Sequence, residues 1–339
     1  MKKNKYSKKL SFSFILLLVL VVVLGFVFLY STDYYDGNTE KARLMKKINK
    51  KYFSIDDYDG SSERDYAIHK LIRLACELHH QNKPIDVQIS IQDRGSDEKG
   101  VYTFCYPDDR PDLAPYCGPD WCCYWWKTAN INNYLATARL LETMGKQKPT
   151  TKKAGWVGNI YSPLADVPES KTRPLLKKIA EKNPSIIEAI HVSPVNGQIV
   201  QVPNYMTLED QVRRYKYLID IGGNGYSGRL KMLLWTGRPI LLVKRRYIEY
   251  FYKDMVPFQH YIPVKEDLSD LIQQIQWCRS HPKEASQIGE NALLFAKKTF
   301  SLEKMLENVY LTLVACRDYH KNNISSYKNE GTTSSKKSN

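Results

Sequence analysis

Two places in this chain hold residues whose types and spacing suit chemistry on a charged or hydroxylated molecule. The first is the run Gly222, Gly223, Asn224, Gly225, Tyr226, Ser227, with Arg229 just beyond it. Glycine lets a backbone approach an anion closely, and the free N–H groups at a helix start carry about half a positive charge. An arginine in the first helical turn can fork onto a diphosphate. The same pattern also describes a plain turn beside a solvated arginine, so the residues alone leave both readings open. The second place is Gln92-Asp93-Arg94-Gly95. A carboxylate there can act as a general base, or serve as a turn residue paired with Arg94.

The elements that must position these groups are legible on either side. Tyr217, Ile219 and Ile221 alternate as in a strand, and Leu230, Leu233 and Leu234 recur at helical spacing from Gly228 to Trp235. Gly237 then sits where a helix stops, and Pro239 to Val243 is a second apolar strand. Strand, turn, helix and strand make a βαβ unit and so a parallel sheet. Upstream, Ile85, Val87, Ile89 and Ile91 alternate with polar residues. Ligands of open α/β sheets sit beyond the carboxyl ends of strands, which is where Asp93 falls. Further strands are expected over Val101–Tyr106, Ile186–Val192 and Tyr261–Val264. Helices are expected over Tyr66–Leu78 (closed by His79 and His80), Ile131–Met144, Pro174–Glu181, Glu284–Thr299 and Leu302–Cys316, with others starting at a capping box, Thr207 to Asp210, and at Asp267.

Trp121, Trp125 and Trp126 crowd a short segment with Tyr124. Aromatic rings pack on the apolar faces of sugars, and equally in a protein core, and the spacing does not separate the two. Cys105, Cys117, Cys122 and Cys123 lack the spacing of a zinc site, so local disulfides are expected among the seven cysteines rather than a metal. Asp56, Asp57 and Asp59 have no histidine partner or ligand spacing and read as solvated linker charges. Lys244, Arg245 and Arg246 read as a solvated basic face.

The 339 residues carry a formal net charge of +14, but the first ten supply five lysines and the tail from Lys321 a net three, leaving +6 for the body. That balance suits an anionic substrate or a membrane surface, and no nucleic-acid partner is expected. Ser11 to Tyr30 is free of charge and as a helix spans about 30 Å, the thickness of a bilayer's hydrocarbon. Lysines precede it and Asp33 and Asp36 follow, so the positive-inside rule leaves the short tail cytoplasmic and the body lumenal. The run is longer than a signal-peptide core and lacks a small-x-small cleavage site, which favours an anchor over a cleaved leader.

The run YKYLIDIGGNGYSGRLKMLLWTGRPILLV, followed by YFYKDMVPFQHYIPVKEDLSDL, resembles glycosyltransferase family 90. That family includes protein O-glucosyltransferases, fungal capsule xylosyltransferases and bacterial lipopolysaccharide-modifying enzymes. The resemblance extends more weakly from about Ile85 to about Cys316. It implies a GT-B-like α/β fold of two Rossmann-type halves facing a cleft, and metal-independent, inverting transfer from a nucleotide sugar. Asp93 is similar in place to the family's base. Gly158, Asn159 and Arg173 are similar to donor-side positions, and Gly223, Gly225, Tyr226, Ser227 and Arg229 fall against the donor, with Arg229 neutralising the leaving diphosphate. The aromatic segment Tyr250 to His260 resembles positions near the donor pocket, and in GT-B folds a terminal helix often crosses back to the first domain. Two departures stand out. The protein-glucosylating branch usually has Arg-Asp-Tyr/Trp-Pro where this chain has Gln92-Asp93-Arg94-Gly95, and often has arginines where Val157 and Ile160 stand.

The resulting expectation is a type II membrane protein of the endoplasmic reticulum or Golgi. Its parts are a cytoplasmic tail 1–10, an anchor 11–30, a stem 31–64, an acceptor-side domain 65–165, a nucleotide-sugar domain 166–320 and a disordered tail 321–339 carrying a sequon at Asn323. It transfers glucose or xylose from a UDP-sugar to a hydroxyl of a protein or glycan, with no cofactor and no metal. Trp121, Trp125 and Trp126 are the acceptor-side candidates. The rival readings are an inactive, membrane-tethered carbohydrate-binding protein and a basic surface binder.

Overall fold

The computed structural model describes residues 40–52, 62–81, 85–161, 168–192 and 204–333. The expected anchor and the acidic linker positions Asp56, Asp57 and Asp59 lie outside them. Among the described residues no helix is long and apolar enough to cross a membrane. Contacts divide the chain into two units, 1–50 and 51–339. The described part of the first, 40–50, belongs to helix α1 (Glu40–Tyr52), whose cations Lys41, Arg43, Lys46, Lys47 and Lys50 are exposed. The sheet and the cleft described below belong to the second.

The strands in chain order are β1 (Tyr106–Pro107), β2 (Ala154–Gly158), β3 (Ile187–His191), β4 (Tyr217–Asp220), β5 (Ile240–Val243), β6 (Tyr247–Ile248) and β7 (Ile262–Val264). The remaining helices are α2 (Glu63–Leu78), α3 (Tyr134–Gly145), α4 (Pro168–Lys182), α5 (Leu208–Arg214), α6 (Leu230–Leu234), α7 (Leu271–Ser280), α8 (Pro282–Thr299) and α9 (Leu302–Thr333). Five strands form one parallel sheet in the order β3-β2-β4-β5-β7. Every residue of β4 and β5 is buried, as befits strands covered on both faces. Trp156, Ile219, Leu241 and Ile262 from the sheet share a core with Leu176 of α4 and Leu271 of α7. After β2 the chain adds β3 outward, and it then returns to lay β4 on the other side of β2. That reversal opens a crevice at the carboxyl ends of β2 and β4.

The βαβ unit and the parallel sheet agree with the sequence. A second Rossmann-type half does not appear among the described residues. The alternating run Ile85–Ile91 contributes one parallel bridge, Ile89 to Tyr102, and Val101–Tyr106 adds another, Thr103 to Cys117. The segment that follows turns through short 3₁₀ helices at Pro111–Tyr116 and Trp121–Cys123. Among the described residues the alternating run's pairing is confined to Tyr102, whose N–H donates to the Gln88 carbonyl and whose carbonyl accepts from the Ser90 N–H, each at 2.8 Å. Strand β2, which falls before residue 166, belongs to the five-stranded sheet, and residues 51–339 stay together as one unit.

At the other end, α9 continues through 321–333, where a disordered tail was expected, and Asn323 is exposed on this helix. No proline interrupts that stretch. Helix α9 packs along α2 and the Pro111–Tyr116 turn, so the last helix returns to the first half of the chain. His79 closes α2 as its cap and stacks on Tyr310 with ring centroids 4.0 Å apart. The expected disulfides are not formed. All seven cysteines are free thiols and all but Cys76 are buried, packed as small apolar side chains. Burial pushes the thiols of Cys105, Cys117, Cys122 and Cys123 well up.

Candidate active site

A cleft of about 430 Å³ lies at the carboxyl ends of the central strands. Val157 and Gly158 reach it from β2, Val192 from beyond β3 and Ile221 from beyond β4. Its size is within the range of ordinary small-molecule sites. Asp93, Gly158, Asn159, Arg173, Gly223, Tyr226, Ser227 and Arg229 all line it, as do Trp121 and Trp126. The sequence-derived site is thus largely brought together.

One wall is built on Asp220, the buried last residue of β4. Its carboxylate receives Arg245 at 2.7 Å and the Ser227 hydroxyl at 2.9 Å, with Arg229 Nε at 3.5 Å. Arg245 is therefore a buried ion-pair partner rather than part of a solvated face, while Lys244 and Arg246 on either side are exposed. The odd position of the run points inward because it continues the alternation of β5. Ser227 lines the cleft, but its hydroxyl is committed to Asp220. Helix α6 is only five residues long, so little macrodipole stands behind the turn. The positive field of the cleft comes from side chains instead.

Those side chains are Arg173 and Arg229, which flank one indole. Their guanidinium carbons lie 5.5 and 5.7 Å from the Trp156 ring centroid. Arg173 projects from within α4 and donates to the carbonyls of Gly222 at 2.8 Å and Asn159 at 2.9 Å. Arg229 donates to the Val157 carbonyl at 2.7 Å. Burial pulls the Arg229 pKa down and Asp220 opposes that. Because Asp220 is divided between two guanidiniums, Arg229 is incompletely balanced, and its Nε has no hydrogen-bond partner among the described residues. The indole N–H groups of Trp156 and Trp121 are likewise buried without a partner. Donors left in this state favour an acceptor-rich ligand.

Asp93 faces this wall. Gly95, at φ +73°, makes the turn that follows Asp93; a Cβ there would lie 2.1 Å from the Cys105 carbonyl oxygen. The carboxylate pairs with Arg64 at 2.8 Å, not with Arg94, and Asn224 Nδ2 stands 3.5 Å from its other oxygen. Arg94 reaches across to the Asn224 carbonyl at 3.2 Å. The Asp93 carbonyl accepts from the Tyr226 N–H at 3.3 Å and the Cys105 thiol at 3.2 Å. Gly225 does not line the cleft: its bare α-carbon is packed on the Asp93 peptide. The close approach that this glycine permits is to the opposing loop.

The three tryptophans divide. Trp121 and Trp126 meet edge to face in the cleft at 5.4 Å. Trp125 is buried outside it, edge-on to Tyr66, and serves the core. Tyr250 and Phe251 do not line the cleft either, and Phe251 packs on Phe300. The Tyr226 ring lies over Lys231 at 5.5 Å and edge-on to Phe104. Lys231 is fully buried, 3.0 Å from Asp120 and 2.8 Å from Glu249, and also donates to the Gly228 carbonyl at 3.2 Å. One cation thus serves two carboxylates. Burial, with the charge of Asp120, pushes Glu249 up to about 7 against the pull of Lys231.

With the cleft, its paired arginines and a facing carboxylate in place, comparison with known proteins decides the family. The model of glycosyl transferase family 90 matches residues 70–322. The chain belongs to glycosyl transferase family 90. It is 28% identical to protein O-glucosyltransferase 2 of Danio rerio over 212 residues, 58% of this chain and 38% of the relative. It is 31% identical to protein O-glucosyltransferase 3 of Homo sapiens over 84 residues, 25% of this chain and 17% of the relative. An uncharacterized protein 179R of Invertebrate iridescent virus 6 is 38% identical over 109 residues, 30% of this chain and 9% of the relative. The chain therefore spans well under two thirds of the length of these relatives. In this family 90 member, the residues of the site that sequence reasoning missed are Arg64 and Asp220. Asp220 carried a signal, as an acidic residue closing an apolar strand directly before the glycine turn. Arg64 carried none, since it lies in what reads as stem and precedes the matched span.

Proposed function

We propose that this family 90 glycosyl transferase moves glucose or xylose from a UDP-sugar to a hydroxyl of a protein or glycan, with inversion and without a metal. The observation that carries the reading is the sharing of one cleft by Asp93 and the Arg173–Arg229 pair around Trp156. In this reading Asp93 takes the proton of the acceptor hydroxyl as its oxygen attacks the anomeric carbon. The glycosidic bond to the β-phosphate oxygen breaks, and Arg173 and Arg229 meet the charge that develops on UDP. Trp126 and Trp121 offer indole faces and edges to the acceptor side. The names of the relatives, protein O-glucosyltransferases 2 and 3, support glucose and a protein acceptor.

The apolar run 11–30 supports a single-pass anchor that leaves the body on the lumenal side of the endoplasmic reticulum or Golgi. Carbonate extraction of the full-length protein tests this, and release into the soluble fraction would refute it. The activity is tested by incubating the purified protein with a panel of UDP-sugars and following UDP release. Turnover of UDP-glucose or UDP-xylose, unchanged by EDTA and abolished in Asp93→Asn while UDP still binds, is the expected result. Binding without any turnover would instead identify a carbohydrate-binding protein.

A further inference from the structure

Arg64 belongs to no part of the site that the sequence indicated, yet its guanidinium has three attachments at the cleft. One nitrogen, Nη2, pairs with Asp93 Oδ1 at 2.8 Å. Another, Nη1, donates to the carbonyl of Ile91 at 2.9 Å. The guanidinium carbon lies 5.3 Å from the centroid of the Trp121 ring. Arg64 therefore bridges the carbonyl at the end of the Ile85–Ile91 run and the carboxylate two residues later, with an indole beneath it. Its side chain and that of Asp93 are each about one third exposed, at 35% and 33%, so both remain within reach of a ligand in the cleft.

We propose that Arg64 is the positioning residue for Asp93, fixing which carboxylate oxygen meets the acceptor hydroxyl. This rests on the reading of Asp93 as the base. With Oδ1 held by Arg64, Oδ2 is the oxygen left toward Asn224, whose amide at 3.5 Å is too distant for a firm hydrogen bond. Oδ2 is thus the atom available to an incoming hydroxyl. A rigid planar guanidinium suits this task, because one arm of its fork is anchored on the Ile91 carbonyl while the other holds Oδ1, a fixed pair of directions that a lysine ammonium cannot supply. Trp121, an acceptor-side candidate on sequence, acquires a second role as the platform under Arg64.

The test uses the full chain with Arg64→Ala, Arg64→Lys and Arg64→Gln, the best UDP-sugar from the panel for turnover, and UDP as the binding probe. Arg64→Ala is expected to lower kcat about 10- to 100-fold, the scale of a small misplacement of a reacting group. UDP affinity and melting temperature should stay close to those of the unaltered protein. Guanidinium ion added to Arg64→Ala should recover part of the lost rate, and Arg64→Lys should recover less than arginine provides. If Arg64→Ala melts early, Arg64→Gln supplies the same comparison on a side chain of similar reach. Unchanged kcat, or a loss of UDP affinity as large as the loss of kcat, would overturn the assignment. Asp93→Asn separates the two readings: if it still turns over, the base itself is misassigned, whereas an inactive Asp93→Asn beside a fully active Arg64→Ala removes only the role of Arg64.

Discussion

Gly225 lies so close to Asp93 that a Cβ at this position would sit 1.7 Å from the Asp93 carbonyl oxygen and 2.5 Å from its carbonyl carbon. The glycine turn after β4 and the loop that carries the candidate base are therefore one packed object. The Tyr226 N–H and the Asn224 side chain close the same contact. Gly225→Ala must push the two loops apart, since the obstructing atoms are backbone. We expect it to lower kcat at least tenfold and to destabilise by about 1–3 kcal/mol, the usual cost of overpacking. Gly223→Ala, whose added carbon would meet its nearest atom at 3.1 Å, should be much milder. Steady-state rates and melting temperatures of the two variants make the comparison, and equal effects would deny the special role of Gly225.

The arginine pair around Trp156 predicts a graded loss of nucleotide affinity. Arg229→Ala and Arg173→Ala each remove a charged donor from the same wall, and a charge-assisted hydrogen bond is worth about 1.5–3 kcal/mol. Each should weaken UDP binding by roughly ten- to a hundredfold. Arg229→Ala should also lower kcat, because the charge it meets grows as the sugar departs. Calorimetric titration with UDP measures the first effect and steady-state turnover the second. UMP, which lacks the β-phosphate, should be far less sensitive to either change.

How much of this was readable in the residues depends on distance along the chain. The turn Gly222–Ser227, strands β4 and β5 and the capping box at Thr207 were legible because each is set by neighbours a few positions away. Asp93 was locatable because it directly follows an alternating run. That run did not become a full strand, since a ladder needs a partner along its length and it meets one only at Tyr102, a pairing set by tertiary packing. The burial of Arg245 and Lys231 was hidden for another reason: their partners Asp220, Asp120 and Glu249 are assembled by tertiary packing alone. Alternation through Lys244, Arg245 and Arg246 was the one local clue.

Trp125 and Trp126 are adjacent in sequence and opposed in role. Trp125→Ala empties a core position against Tyr66 and should cost about 3–5 kcal/mol of stability without a specific effect on substrate. Trp126→Ala should leave the melting temperature nearly unchanged and raise the acceptor KM, because the ring is half-buried and lines the cleft. Thermal melts alongside acceptor titrations at saturating donor distinguish them. A matching loss of stability in both would place Trp126 in the core as well.

The buried trio Asp120, Lys231 and Glu249 makes stability depend on pH in a direction that can be derived. Glu249 is raised to about 7 from an ordinary carboxylate value, because burial disfavours its charged form and the charge of Asp120 adds to this against the pull of Lys231. The folded protein therefore holds this proton more tightly than the unfolded chain. Its contribution is fully present below the ordinary glutamate value and is lost as pH rises toward 7. Glu249→Gln keeps the shape and removes the titration, so its melting temperature should vary less between mildly acidic and neutral pH than that of the unaltered protein. Lys231→Met is the opposite case, leaving two buried carboxylates with no cation between them. It should cost about 3–5 kcal/mol near neutral pH and recover partly on acidification, as the carboxylates take up protons. Melting curves across pH for the three proteins test the sign, and a Lys231→Met variant that became less stable as pH fell would contradict it.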